Sequence, residues 1–120
     1  MIIEIDAGSP TPPYEQVRMR IADLAARGDL PAGAKLPAVR QLATDLGLAA
    51  NTVARAYREL EQAGLVETKG RHGTVVTPKA ARVPAEAQAL AQHFADRSRQ
   101  LGLSPEAALA LARAALGLPS

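Results

Sequence analysis

The sequence predicts a mainly α fold with a small β-hairpin: a winged helix-turn-helix followed by a C-terminal helical hairpin. Three observations lead there. Val39, Leu42, Ala43 and Leu46 recur at i, i+3, i+4 and i+7, one buried helical face, and Gly47 follows where a left-handed residue ends such a helix. Val53, Ala56, Tyr57 and Leu60 repeat the spacing, and Gly64 ends that second helix in the same way. Two β-prone runs, Leu65–Thr68 and Thr74–Thr77, then flank Lys69-Gly70-Arg71-His72-Gly73, whose glycines permit a tight turn. Two short helices joined by a glycine-containing turn form a helix-turn-helix, and the hairpin after it is a wing.

The chain reads in order from there. Ile3 and Ile5 alternate with Glu4 and Asp6, which suits a short strand or an arm packed on the body. Thr11 is placed to cap a helix with Pro12 or Pro13 in its first turn, where a missing N–H costs nothing. Tyr14, Val17, Ile21 and Leu24 mark the buried face of that helix, which ends near Gly28. Arg18 and Arg20 lie on it; solvation is the expectation for both, ahead of a phosphate contact. Leu30-Pro31-Ala32-Gly33 makes a tight connection, with Leu30 and Leu36 expected to plug the core.

The polar side of the second motif helix carries the functional reading. Asn51, Arg55, Arg58 and Gln62 share the face opposite Val53, Ala56, Tyr57 and Leu60, with Thr52 beside Asn51. In a helix-turn-helix this helix enters the major groove and reads bases with its first turns. Arginine binds guanine bidentately, and asparagine binds adenine. Glu59 and Glu61 fall toward the far end. The wing holds Lys69, Arg71 and His72 at its tip, where cations press against phosphates or enter the minor groove. The bland alternatives are an ordinary solvated helix face and a polar loop with incidental charge.

After the wing, residues 79–84 read as a linker. A helix from Ala85 to Leu101 places Ala87, Leu90, Ala91, Phe94, Ser98 and Leu101 on one face, and Gly102 breaks it. Ser104-Pro105-Glu106 supplies cap, first-turn proline and early acid for the next helix. Leu109, Ala112 and Leu116 continue it, and Gly117 and Pro119 stop it. A segment this short does not fold alone without metals, disulfides or oligomerisation. An alanine- and leucine-rich hairpin over residues 85–120 is therefore expected to be a homodimer surface; the alternative is a hairpin folded back on its own winged helix. His93 on it is read as structural.

Composition narrows the classes. The chain has 120 residues, 48% hydrophobic and only 2% aromatic, so its core must be Leu, Val, Ile and Ala. It contains no cysteine, which excludes disulfides and thiolate metal sites. No apolar run reaches the ~18 residues of a membrane span, and the N-terminus lacks a signal-peptide pattern. A cytoplasmic location follows as the expectation, with no membrane partner. The net charge of +2 is modest, but the positive excess falls within residues 35–77: Lys35, Arg40, Arg55, Arg58, Lys69 and Arg71 against Asp45, Glu59, Glu61 and Glu67. No catalytic constellation is present. The two histidines, His72 and His93, lie in distant segments, no serine has a nucleophile-elbow context, and Gly70-x-x-Gly73 is misplaced for a nucleotide loop. No enzyme activity, metal or cofactor is expected.

The motif also resembles a known family. Gly28-x-Leu30-x-x-Gly33-x-Lys35-Leu36-Pro37-x-x-Arg40-x-Leu42-Ala43 resembles the opening of the GntR-family winged helix. Thr52-Val53-x-x-Ala56-Tyr57-x-x-Leu60-x-x-x-Gly64-Leu65-Val66 and Gly70-x-x-Gly73-Thr74-x-Val76 resemble its continuation. Ile5-Asp6, Pro13-Tyr14-x-Gln16 and the short tail resemble the small YtrA-like branch. The resemblance implies that Arg40 reaches DNA, at a base or a phosphate. It implies that Asn51, Thr52 and Arg55 are recognition positions and that Gly70, Arg71, His72 and Gly73 form the wing. The family usually has Ser or Thr, then often Arg, where this chain has Ala49 and Ala50. Ala49 forfeits a cap worth about 1 kcal/mol; Ala50 forfeits a base or phosphate contact, though it can meet a thymine methyl.

Together these readings set the expectations. Residues 1–78 form a DNA-binding domain, 79–84 a linker and 85–120 a dimerisation tail. The chain is expected to bind double-stranded DNA at a palindromic operator as a homodimer, repression being the direction the resemblance favours. Lys35 and Lys69 are expected at phosphates. The alternative is a winged-helix protein-interaction module without specific DNA binding. The sequence identifies no small-molecule effector, which would have room at the dimer interface or between tail and winged helix.

Overall fold

The computed structural model describes residues 3–119; Met1 and Ile2 of the expected arm and Ser120 of the expected tail lie outside the described residues. Elements follow in the order α1 (Pro13–Ala26), α2 (Val39–Leu46), α3 (Ala50–Gln62), β1 (Val66–Thr68), β2 (Thr74–Val76), α4 (Ala85–Gln100) and α5 (Pro105–Ala115). The chain divides into two compact units, Met1–Val83 and Pro84–Ser120.

The first unit is built around α3. Its stripe of Val53, Ala56, Tyr57 and Leu60 is buried against Val17, Ile21 and Ala25 of α1 and Leu42 and Ala43 of α2. Each large aliphatic side chain buried this way contributes roughly 1.5–3 kcal/mol. Leu36, Val66 and Val76 complete the cluster, with Leu30 partly buried against it. Ile3 is buried and Ile5 packs on the core, but residues 3–6 form no strand: they are an arm. Gln16 fastens it, accepting from the Asp6 N–H at 2.8 Å and donating to the carbonyls of Asp6 and Thr11.

That fastening corrects the expected helix start. The N-cap of α1 is Pro12, without a side-chain cap; Thr11 bonds through its backbone, its carbonyl accepting from Gln16 and its N–H donating to Ser9 Oγ at 3.1 Å. Helix α2 ends as expected: Gly47 has φ 67° and ψ 33°, and the Leu48 N–H returns to the Ala43 carbonyl at 2.9 Å. Helix α3 starts at Ala49, which has extended dihedrals and no side-chain cap. Leu48 at N′ packs against the cluster that holds Val53 at N4, the spacing of a hydrophobic staple.

The wing pairs β1 and β2 antiparallel, Val66 opposite Val76 and Thr68 opposite Thr74. Its other edge is also paired. Lys35 bridges Val75, the Leu36 N–H donates to the Thr74 carbonyl at 2.8 Å, and the Val76 N–H donates to the Ala34 carbonyl at 2.9 Å. At the tip, Gly70–His72 makes one 3₁₀ turn, closed by the His72 N–H on the Lys69 carbonyl, and the Lys69 N–H donates across the hairpin to the Gly73 carbonyl at 2.8 Å. Gly73 has φ 71° and ψ −153°, and a Cβ there would stand 3.1 Å from Lys35 Cε. Only glycine occupies that backbone region at low cost.

Residues 79–83, expected to run as a linker with Pro84, are docked on the first unit. Ala80 is buried in the core, Thr77 Oγ1 donates to the Gly64 carbonyl, and Lys79 Nζ donates to the Ala63 carbonyl at the end of α3. An alanine-rich, proline-flanked stretch reads as a linker because burial of one small side chain leaves no periodic signal.

In the second unit α4 stops at Gln100 and the chain turns through Gly102. Ser104 Oγ accepts from the Ala107 N–H at 3.1 Å, the expected cap of α5. Ser98 is the buried residue of this unit among the described residues, while Leu90, Phe94, Leu101, Leu109, Leu111 and Leu116 are exposed. No helix among the described residues is long and apolar enough to cross a membrane.

Candidate nucleic-acid interface

Helix α3 is held by one face and bare on the other. Val53, Ala56 and Leu60 are at most 1% exposed, whereas Asn51, Arg55, Arg58 and Gln62 on the opposite face are exposed. Thr52 is half-buried at the shoulder. The pitch of the helix is fixed at its buried side by Tyr57, whose hydroxyl donates to the Pro37 carbonyl at 2.7 Å. Burial pushes the Tyr57 phenol up from 10.0 to about 12, so it stays a neutral donor through the physiological range.

The cations divide into two groups. Lys35, Arg40, Arg58 and Arg71 are exposed and make no ion pair among the described residues. Arg40 is the second residue of α2, and Arg71 and His72 form the wing turn between Gly70 and Gly73. Lys69 pairs with Glu67 at 3.3 Å, and Arg55 pairs with Glu59 at 3.2 Å. An exposed pair such as Lys69–Glu67 is worth about 0–1 kcal/mol, so Lys69 can exchange its carboxylate for an outside anion at small cost.

Arg55 has a second contact. Its guanidinium carbon lies 3.7 Å from the centroid of the Tyr14 ring. Glu59 also faces Arg18, Oε1 to Nε at 3.8 Å, and Arg18 Nη2 meets Glu15 at 3.1 Å. Arg18 is therefore paired rather than simply solvated, as is Arg20 with Asp23 at 3.2 Å. The Arg18 Nε is buried without a hydrogen-bond partner. Glu61 accepts from Thr68 Oγ1 at 2.9 Å, which joins α3 to the wing.

The helical spacing brought Asn51, Arg55 and Arg58 to one surface. It missed the platform under Arg55, because Tyr14 and Glu59 belong to patterns read for other reasons: an apolar stripe and a far-end acid. The only available signal was their shared address. Tyr14 and Arg18 stand one turn apart on α1, as Arg55 and Glu59 do on α3.

Comparison with known proteins bears on this surface. The family model for bacterial regulatory proteins of the gntR family matches residues 13–76, which spans α1 through β2. The HTH-type transcriptional regulator Rv1152 of Mycobacterium tuberculosis is 44% identical over 107 residues, covering 89% of this chain and 86% of that protein. The HTH-type transcriptional repressor YtrA of Bacillus subtilis is 43% identical over 79 residues, covering 66% of this chain and 61% of that protein. Among solved structures, YtrA from Sulfolobus acidocaldarius, a GntR-family transcription factor, is 38% identical with a TM-score of 0.60. That match covers 76% of this chain and 99% of the solved one.

Proposed function

Because the chain belongs to the GntR family of bacterial regulatory proteins, we propose that it represses transcription from a palindromic operator, which it binds as a homodimer. The family is one of transcription regulators rather than enzymes. The observation that carries the reading is the division of α3 into a fully buried face and an exposed face bearing Asn51, Arg55 and Arg58. A helix docked in this way is available to the major groove.

On this reading Asn51, Thr52 and Arg55 face base edges. Arg40 reaches a base or a phosphate, and Arg58 lies along the backbone. Arg71, His72, Gly70 and Gly73 lie at the minor groove or the backbone, and Lys35 and Lys69 meet phosphates. Arg71 contributes more to the salt dependence than Lys69, whose charge is already shared with Glu67. Repression is supported by the repressor name of the Bacillus subtilis relative.

The dimer reading rests on the second unit. A hairpin that leaves Leu90, Leu101, Leu111 and Leu116 in solvent lacks the core that a segment of its size needs. A second copy supplies it and matches the two-fold symmetry of the operator. Binding to an operator fits a cytoplasmic location.

The test is a fluorescence titration against a labelled duplex from upstream of the protein's own gene, with a scrambled duplex as control, at two salt concentrations. The expected result is preference for the upstream duplex, weakened but retained at higher salt. Arg55→Ala should cost about 1–3 kcal/mol and relax base preference. Absence of binding to either duplex at low salt would instead favour a winged-helix interaction module, or a protein that needs an effector first.

A further inference from the structure

We propose that Tyr14 and Glu59 are positioning residues that hold Arg55 in the orientation in which it meets a pair of adjacent acceptors on DNA. The inference rests on the reading of α3 given above and adds two residues to it, one of them on another helix.

The geometry is specific about which parts of the guanidinium are used. Tyr14 covers one flat face, at 3.7 Å from the ring centroid. Glu59 accepts from Nε alone, at 3.2 Å. Neither contact occupies the terminal edge, where Nη1 and Nη2 present two parallel donors, and the Arg55 side chain remains 53% exposed. Two parallel donors match the guanine O6/N7 pair and also match two phosphate oxygens. Arg58, one turn further along α3, has neither an aromatic platform nor a carboxylate among the described residues. One arginine of the face is set before DNA arrives, and the other is left to search.

The support beneath Arg55 is itself braced. The free oxygen of Glu59 faces Arg18, which Glu15 holds in turn. Tyr14, Glu15 and Arg18 sit on the first turns of α1, which is anchored by fully buried Val17 and Ile21. Arginine has among the largest rotamer freedom of any side chain, and a guanidinium already fixed loses less of it on binding.

The experiment measures the full chain against the upstream duplex and its single-base-pair variants for wild type, Arg55→Ala, Tyr14→Phe, Tyr14→Leu, Glu59→Gln and the double variant Tyr14→Leu/Arg55→Ala. Tyr14→Leu and Glu59→Gln should each weaken binding about three- to tenfold, and Tyr14→Phe should bind as wild type, since the ring is what stacks. In the Arg55→Ala background Tyr14→Leu should have no further effect, which separates positioning of Arg55 from general support of the fold. A loss confined to one base pair identifies guanine as the acceptor, and a loss uniform across the variants identifies phosphate; either supports the proposal. Without DNA, the Arg55 side-chain NMR signals should show the ring current of Tyr14 in wild type and Tyr14→Phe and lose it in Tyr14→Leu. Wild-type or stronger binding by both Tyr14→Leu and Glu59→Gln, with Arg55→Ala still impaired, overturns the inference and leaves the reading of α3 intact. Unchanged binding in Arg55→Ala overturns both.

Discussion

Among the described residues, sixteen apolar side chains are buried in 3–83 and none in 84–119. Local specification runs the other way. The helices of the first unit start at Pro12, Ala38 and Ala49, none offering a side-chain cap. In the second unit α5 has Ser104 as a bonded cap, Pro105 in its first turn, Glu106 near its start and Arg113 near its end. The first unit is stabilised by what its helices touch; in the second, α5 carries its start and stop signals within itself, while α4 starts at Pro84 without a side-chain cap. Local signals therefore say where a helix is, and only the burial pattern says whether it has found its partner.

The most direct way to break this contrast is to cut into both units. Leu60→Ala should cost about 2–5 kcal/mol in urea unfolding, because it empties a fully buried site. Leu90→Glu, at a side chain 71% exposed within one chain, should change single-chain stability by less than about 0.5 kcal/mol. Under the homodimer reading it should still shift sedimentation from dimer toward monomer. A full-mass dimer with Leu90→Glu, Leu101→Glu and Leu111→Glu combined would mean that the exposed stripe is not the joining surface.

A smaller effect sharpens the contrast through pH. The Tyr57 phenol is held at about 12 when folded and has its ordinary value of 10.0 when unfolded. The unfolded chain therefore loses this proton first as pH rises. The stabilisation is complete below pH 10 and falls away between pH 10 and 12, at up to about 1.4 kcal/mol per unit. Tyr57→Phe should flatten that limb of the stability–pH curve and cost about 1 kcal/mol below it, by removing the bond to the Pro37 carbonyl. The chain's two tyrosines, Tyr14 and Tyr57, both lie in the first unit, so the second has no tyrosine to contribute such a limb.

The smallest expected change repairs a missing local signal. Ala49 already has the extended dihedrals of a cap, φ −67° and ψ 145°. Ala49→Ser should raise the thermal midpoint, adding about 0.5–1 kcal/mol. No gain would mean that the staple from Leu48 already supplies what a cap would add.

Much of this was legible in the chain. The stripes at 39–46 and 53–60, the helix stop at Gly47 and the cap at Ser104 are local patterns with one physical reading each. Thr11 misled because a side chain five residues on, Gln16, claims its carbonyl for the arm. Residues 79–83 misled because docking through Ala80 has no period. The ion pair of Arg18 with Glu59 and the seat of Arg55 on Tyr14 join helices about forty residues apart in sequence. No spacing rule addresses such pairs; only the crossing of α1 and α3 brings them together.

The bonded outer edge of β2 has a mechanical consequence. A two-stranded hairpin standing alone is marginal in water, but this one is tied on its far side to the Ala34–Leu36 backbone that leads into α2. The wing is a rib of the frame and not a hinged flap. A force that lifts its tip is felt at the root of α2, and amides on both strands should exchange with solvent in one step with those of Leu36 and the start of that helix.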